Sequence, residues 1–206
     1  MHSYSGLAKE HFFNPRNVGE VDGASFVGRE GSLACGATLR VSLRIDEAQR
    51  IAEAKFKAAG CGFLVASTSF LIEQIKDKTT GEAAALAQSP AHAIREPLGS
   101  VPMEKAHCAD LACDALISAI KHYSDSVRDE WEGDEALICT CFCVSERTIE
   151  REIQARALRT IADVTKACNA GAGCRSCYSL IEDILDDHWR REFRFFAESN
   201  CSAKPI

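Results

Sequence analysis

The sequence predicts an α+β domain, with a small antiparallel sheet and packed helices, followed by a small all-α domain. Three observations support this fold class. Hydrophobic and polar residues alternate over 39–45, which indicates a half-buried strand. Hydrophobic residues recur every three to four positions around 64–75 and 111–120, as in amphipathic helices. Between the two domains, residues 124–136 are polar and acidic, which is typical of a linker.

The first domain, residues 1–123, begins with a short helix. Residues at three- to four-residue spacing predict it: Tyr4, Leu7, Ala8, His11 and Phe12. The helix ends at Asn14, because the residue before a proline avoids the helical region. Two strands, 39–45 and 52–58, then form an antiparallel hairpin about a turn at 46–50.

Three further helices complete the first domain. One follows Gly60-Cys61-Gly62, the next covers residues 82–88, and the last begins at His107-Cys108. Hydrophobic residues recur along one side of the first and last of these helices, as expected for helices that pack against a sheet.

The second domain, residues 137–206 with a C-terminal tail, contains three short predicted helices and no predicted strand. Ser145 and Thr160 are the expected N-caps of the first two, because their hydroxyls can accept hydrogen bonds from free N–H groups. The glycine-containing segment 171–173 is expected to end the second helix. The third helix starts near Cys177, so this domain is predicted to be all-α.

Composition excludes several classes of function. The net charge of −6 argues against nucleic acid as a partner, because phosphate binding usually requires a basic patch. No apolar run approaches the roughly 18 residues that span a bilayer, and the N-terminus lacks a signal-peptide layout. We therefore expect a cytoplasmic protein with no membrane partner. The eleven cysteines, an odd number, favour metal binding over a disulfide framework.

The second domain carries four cysteines in two close pairs: Cys139 with Cys141, and Cys174 with Cys177. Each pair is expected at a helix end, where free N–H groups stabilise anionic sulfur. By ligand count, four thiolates suit zinc and an iron–sulfur cluster equally. We expect Cys143 to be a bystander, Cys168 a small buried residue and Cys201 a free thiol of the tail.

Four potential ligands are spread over three elements of the first domain: Cys35, Cys61, His107 and Cys108. Three thiols and an imidazole match the ligands that zinc and iron–sulfur clusters prefer. The intervals are long, so the spacing also allows Cys35 and Cys61 to be two buried thiols. An enzymatic nucleophile–base pair is disfavoured, because adjacent residues on a helix do not face each other.

Two segments of the second domain, Ile138–Ser145 and Gly171–Cys177, resemble the bacterioferritin-associated ferredoxin (BFD) module over about residues 137–190. The resemblance implies a helical fold that holds a permanent [2Fe–2S] cluster. The implied ligands are Cys139, Cys141, Cys174 and Cys177. Cys143 departs from the pattern, since related sequences usually have glycine there. A zinc knuckle is the alternative.

Five separate motifs of the first domain resemble the IscU/NifU scaffold family: Tyr4-Ser5, His11–Gly19, Cys35-Gly36, Gly60-Cys61-Gly62 and Glu104–Cys108. The resemblance covers residues 1–123. An IscU-like domain followed by a ferredoxin-like module is the order found in NifU proteins, which are associated with nitrogenase maturation and nitrogen fixation. Complete members continue into a third domain with its own Cys-x-x-Cys, so this sequence is expected to be a shortened form.

The resemblance implies an iron–sulfur cluster assembly scaffold, not an enzyme. Cys35, Cys61 and Cys108 would accept sulfur from a cysteine desulfurase of the NifS/IscS type, bind iron, and pass a transient cluster to apo-proteins. His107 would be a ligand or would tune the bound metal, and Zn²⁺ or Fe²⁺ are alternative occupants. A ferredoxin reductase and a second copy of the chain, as a homodimer, are further candidate partners.

Two departures qualify this expectation. The family usually has Cys-Gly-Asp at the first ligand, whereas this sequence has Ala37. The missing carboxylate is expected to lengthen the lifetime of a bound cluster or to lower metal affinity in the apo form. The segment 101–104 contains one proline, which casts doubt on recruitment of a dedicated chaperone there.

Two other functions remain open from the sequence. In one, the chain is a [2Fe–2S] electron carrier whose first domain only docks partners. In the other, it is a zinc-bound regulator of the desulfurase. The carrier function requires that the thiols of the first domain are dispensable for activity. The regulator function requires that this domain binds zinc and no labile iron.

Overall fold

The protein is represented by a computed structural model that describes residues 5–23, 26–99, 102–129, 133 and 136–201. The chain divides into two compact units, Met1–Asp129 and Glu130–Ile206. Some residues of the predicted motifs and domains lie outside the described residues: Tyr4, residue 101, residues 202–206 and most of 130–136. The expected α+β class with a small antiparallel sheet is confirmed.

The first unit contains one sheet and a set of helices. In chain order its elements are α1 (Gly6–Phe13), β1 (Phe26–Ser32), β2 (Ala37–Ile45), β3 (Ile51–Ala59), α2 (Gly62–Gln74), α3 (Thr80–Ala87), a π-helical turn (Ala91–Arg95), α4 (Glu96–Leu98), a 3-10 turn (Met103–Lys105) and α5 (His107–Asp129). The sheet order is β1-β2-β3, and both pairings are antiparallel.

The β2–β3 hairpin follows the alternation in the sequence. Leu39, Val41 and Leu43 are buried on one face of β2, and Phe56 of β3 lies opposite Val41 on that face. The expected hairpin is therefore confirmed. β1 was not expected, because its sequence, FVGREGS, lacks a run of alternating hydrophobic residues.

The segment His11–Gly19 connects α1 to α2 and β3. Ser69 on α2 is the meeting point: its hydroxyl lies 2.9 Å from His11 Nδ1 and accepts from the Arg16 N–H at 2.9 Å. Farther along, the Phe56 N–H donates to the Asn17 carbonyl at 3.0 Å. This motif of the scaffold family therefore has a structural role here.

The long helix α5 covers the inner face of β1 at a position where a side chain has no room. A Cβ added at Gly28 would lie 2.0 Å from the Ala115 carbonyl oxygen and 2.5 Å from the Ala119 nitrogen. The facing residues of α5 are themselves small and buried: Ala112, Ala115 and Ala119. Glycine on the strand and alanine on the helix thus allow the two backbones to touch.

Residues 124–129 continue α5 and are not the beginning of a linker, which corrects the expected boundary at residue 124. Ser124 is buried, and Arg128 forms an ion pair with Asp125 one turn earlier. Pairs at this spacing stabilise a helix, so a polar and acidic sequence can remain helical on an exposed face.

The second unit is mostly helical but contains a small hairpin, which corrects the expectation of no strand. Its elements are β4 (Leu137–Cys139), β5 (Val144–Ser145), α6 (Glu146–Arg156), α7 (Ile161–Cys168) and α8 (Tyr178–Cys201). β4 and β5 pair antiparallel. These strands are too short for a period-2 pattern to reveal them.

The helix ends of the second unit are capped largely as expected. The side chains of Ser145 and Thr160 accept hydrogen bonds from the N–H groups of Thr148 and Asp163, which confirms both N-caps. Asn169, with φ of +61°, ends α7, whereas glycines had been expected to do so. Asparagine adopts this left-handed conformation more readily than most residues, so it can replace glycine as a C-terminal cap.

Within the described part of the chain, no helix is both long enough and apolar enough to cross a membrane.

We expect Gly28→Ala to destabilise the first unit by about 1–3 kcal/mol, because the new methyl group would separate β1 from α5. Gly31→Ala on the same strand is the matched control, since its Cβ would meet the Ala37 carbonyl oxygen at 3.4 Å, an ordinary contact. Urea unfolding followed by circular dichroism measures both. Equal midpoints for the two variants would contradict the close approach of strand and helix.

Candidate metal centres

The expected ligands of the first unit lie at one end of its sheet. Cys35 is in the turn between β1 and β2, Cys61 follows β3 as the N-cap of α2, and His107 and Cys108 begin α5. The pairing of Thr38 with Ala59 places the start of β2 beside the end of β3. Antiparallel pairing therefore brings together cysteines that are far apart in sequence.

These four side chains form a continuous line of contacts. Cys35 Sγ lies 3.5 Å from His107 Nε2, which lies 3.7 Å from Cys108 Sγ, and Cys108 Sγ lies 3.4 Å from Cys61 Sγ. Among the residues that the structure describes, no three Cys, His, Asp or Glu side chains are arranged to hold a metal ion. The side chains are thus neighbours that would have to shift to enclose a metal.

Cys35 is the exposed end of this line, and its thiolate is stabilised. The pKa of Cys35 is lowered to about 7, first by a hydrogen bond from the Ser32 hydroxyl, then by the Ala37 N–H, and then by His107. About half of the Cys35 side chains are therefore thiolate near neutral pH, the form that reacts and binds metals.

Cys108 has the opposite character. The pKa of Cys108 is raised to about 12, first by burial and then by the neighbouring Cys61 sulfur, while Lys105 acts in the lowering direction. The first centre thus combines one reactive exposed thiol with one protected buried thiol. Lys105 is close enough to Cys108 to influence its pKa.

Ala37, in place of the aspartate usual in the scaffold family, is packed at the base of this centre. It is 4% exposed, and a Cβ added at Gly60 would lie 3.1 Å from the Ala37 Cβ. Ala37 also supplies the backbone N–H that stabilises the Cys35 thiolate. A carboxylate at position 37 would thus lie next to Cys35 and the residue before Cys61.

The expected ligands of the second unit also meet. Cys141 Sγ lies 3.4 Å from Cys174 Sγ, and Cys177 is hydrogen-bonded to Cys139. A Cβ at Gly173 would lie 2.9 Å from Cys141 Sγ, so glycine is needed for the two cysteine-bearing loops to approach. The four thiols form two close pairs beside a space that a side chain at position 173 would fill. This arrangement fits a [2Fe–2S] cluster.

The thiols of the second centre are also unequal. The pKa of Cys174 is lowered to about 7, first by the Ser176 hydroxyl at 3.0 Å and also by Cys141. Burial raises the pKa of Cys177 to about 11. The serines beside Cys35 and Cys174 were missed by sequence reasoning, although Ser32 and Ser176 stand within three residues of the thiols that they serve.

The other described cysteines fall outside these ligand sets. Cys143 has φ of +50°, a conformation that suits the glycine usual at this position in related sequences. Cys168 is half-buried and donates to the Val164 carbonyl at 3.3 Å, and the side chain of Cys201 lies outside the description. Cys113 is buried on α5, where its spacing from Ala109 and Leu116 identifies it as a core residue. None of the ten cysteines whose side chains the structure describes forms a disulfide.

Two families match the chain. The NifU-like N terminal domain matches residues 3–129, and the BFD-like [2Fe-2S] binding domain matches residues 137–187. The nitrogen fixation protein NifU of Azotobacter chroococcum is 38% identical over 189 residues, which cover 91% of this chain and 60% of that protein. The chain thus spans about 60% of the length of this relative.

Shorter relatives match the first unit. The iron–sulfur cluster assembly scaffold protein IscU 1 of Archaeoglobus fulgidus is 38% identical over 120 residues, which cover 58% of this chain and 76% of that protein. The crystal structure of the N-terminal part of a nitrogen-fixing NifU-like protein from Brucella abortus covers 59% of this chain and 94% of that chain, with 18% identity and a TM-score of 0.49.

The match over residues 3–129 covers more than half of the sequence and includes every thiol of the first centre, so the chain belongs to the NifU-like N terminal domain family.

Proposed function

We propose that this chain is an iron–sulfur cluster assembly scaffold. Its first centre binds iron, accepts sulfur from a cysteine desulfurase and builds a transient cluster that passes to apo-proteins. The observation that carries the proposal is the line of contacts from Cys35 through His107 and Cys108 to Cys61. The names of the IscU and NifU relatives support it.

The unequal thiols suggest an order of events at the first centre. Cys35, exposed and about half ionised near neutral pH, is the thiol that attacks a sulfane sulfur carried by the donor protein. The bond between that sulfur and the donor's thiolate breaks, and Cys35 becomes a persulfide. Cys61 and Cys108 lie 3.4 Å apart and supply the other sulfur ligands when iron binds.

We propose that the second unit holds a permanent [2Fe–2S] cluster through Cys139, Cys141, Cys174 and Cys177. When bound, this cluster supplies one-electron redox chemistry. Two roles are open: electron supply for the reduction of sulfane sulfur to sulfide, or docking of a ferredoxin reductase. The division of the chain after Asp129 and the family match over residues 137–187 support this assignment.

The function is tested by disabling the second centre. We expect anaerobically purified wild-type protein to contain about two irons and two sulfides. Cys139→Ser/Cys174→Ser should contain none, but should gain chelator-labile iron and sulfide after incubation with desulfurase, cysteine and iron. Absorbance and metal analysis measure both.

A third variant assigns the labile iron to the first centre. Adding Cys35→Ser to the double variant should abolish its iron uptake, whereas adding Cys143→Ser should not. If the double variant holds only zinc and never takes up iron, the scaffold proposal is wrong and the regulator or carrier function is favoured.

The difference in pKa predicts which thiols react first in the metal-free protein. Iodoacetamide should modify Cys35 and Cys174 at rates that rise through pH 7, because each pKa is about 7 and the thiolate fraction increases with pH. Cys108 and Cys177, with pKa values of about 12 and 11, should be protected below pH 9. Peptide mapping by mass spectrometry after short labelling gives the rates.

Serine variants check the cause of this reactivity. Ser32→Ala should slow the labelling of Cys35 at pH 7 and leave Cys174 unchanged, and Ser176→Ala should do the reverse. Equal labelling of all four cysteines would show that burial and the serine hydroxyls do not govern their reactivity.

Ala37→Asp should shorten the lifetime of the transient cluster. The added carboxylate competes as a ligand and repels the Cys35 thiolate, and a change of ~1 kcal/mol in the barrier gives about fivefold faster loss. Loss of absorbance after addition of a chelator measures the lifetime. Ala37→Asn, equal in size but uncharged, is the control, and an unchanged lifetime in Ala37→Asp would contradict the argument.

A further inference from the structure

The outer face of the three-stranded sheet carries a row of cations. Arg29 on β1 is paired with Arg40 on β2, which is paired with Lys57 on β3. All three line one open cavity of about 630 Å³. We call Arg29, Arg40 and Lys57 the cation row. Like charges directly opposite each other on neighbouring strands destabilise a sheet, so a nearby anion would stabilise this row.

The chain itself supplies only part of that negative charge. The Glu20 carboxylate forms ion pairs with Arg40 and, at 2.7 Å, with Lys57. The pKa of Glu20 is lowered by Lys57 first, and also by Arg40 and Arg29. Glu30 also lines the cavity, but among the described residues only Glu20 forms ion pairs with these cations.

Two groups of the cation row retain binding capacity. Arg29 forms no ion pair with any residue that the structure describes. The Arg40 Nε atom is buried and lacks a hydrogen-bond partner among the same residues. A second carboxylate placed between Arg29 and Arg40 would satisfy both.

The cavity extends from the cation row towards the first centre. Its next lining residues are Gly31, Thr38 and Ala59, which are small and paired across the three strands. Beyond them come the turn that contains Cys35 and the Gly60-Cys61 segment. A ligand anchored on the cations can therefore lie over small side chains and reach the thiols.

We propose that the cation row is a docking surface for an acidic segment of a partner protein. Lys57 and Arg40 are 57% and 35% exposed, and a single exposed ion pair contributes only about 0–1 kcal/mol, so one small anion would be held weakly. A peptide with several carboxylates engages the whole row, which spans two strand spacings, about 10 Å. That this partner exchanges cargo with the thiols rests on the proposed function, whereas the docking surface does not.

The test uses the full chain without iron or sulfide, so its result is independent of cluster assembly. A fluorescein-labelled peptide that alternates glutamate with glycine is titrated by fluorescence anisotropy, beside the same peptide with glutamine. Arg29→Gln/Lys57→Gln should weaken binding of the glutamate peptide by about fivefold or more. Arg151→Gln/Arg156→Gln on α6 removes the same charge and should change the affinity by less than about twofold.

A variant that is expected to strengthen peptide binding provides a further test. Glu20→Gln frees Arg40 and Lys57 and should tighten binding of the glutamate peptide by about twofold or more, whereas Glu47→Gln, an exposed acidic residue in the β2–β3 turn, should not. Circular dichroism melting confirms that each variant is folded. Equal effects of test and control variants would overturn the proposal, since net charge alone would then explain binding.

The peptides and a competitor give the remaining outcomes. Equal binding of the glutamine peptide would show that carboxylates are not recognised and would overturn the proposal. Displacement of the glutamate peptide by free glutamate at the same total carboxylate concentration would identify a small-anion site, and would overturn docking of a protein segment. No displacement, together with the expected variant effects, supports the docking surface.

Discussion

The contact of α5 with β1 is the constraint on which the first centre depends. Because Gly28 lacks a side chain, the helix backbone lies against the strand, and the start of α5 is held at the same end of the sheet as the turn that contains Cys35. His107 and Cys108 are the first residues of that helix, so their positions follow from this contact. Cys61 is placed separately, through the pairing of β2 with β3. Packing at a glycine and the register of a hairpin thus bring together ligands from three elements.

Much of this arrangement is readable from the sequence, and the exceptions share a physical cause. The β2–β3 hairpin has a clear alternation because one of its faces is buried. β1 has none, because its inward position at Gly28 is filled by a helix backbone and so carries no hydrophobic side chain. The polar sequence of residues 124–129 likewise gave a wrong prediction for the end of α5, where an exposed ion pair between Arg128 and Asp125 supports the helix. Sequence patterns record burial of side chains, so they miss contacts made by backbone and by small residues.

Sequence motifs identify the candidate ligands, but they do not predict the chemical differences between them. Cys35 and Cys108 both belong to motifs that resemble the scaffold family. Only the fold shows that Cys35 is exposed beside Ser32 and that Cys108 is buried beside Cys61. The same holds for Cys174 and Cys177 in the second unit. A pKa depends on burial and on hydrogen-bond partners, and both are set by tertiary structure.

The two centres differ in a way that suits a transient cluster in one and a permanent cluster in the other. The second offers four thiols as two close pairs, so a cluster bound there has a full set of anionic sulfur ligands. The first offers three thiols and an imidazole in a line. A cluster held there would therefore have one fewer anionic sulfur ligand than a cluster in the second centre. The exposed, ionised Cys35 then gives an incoming thiolate a sulfur at which exchange can begin. Release from the first centre and retention in the second would thus follow from their ligand sets, without any change of fold.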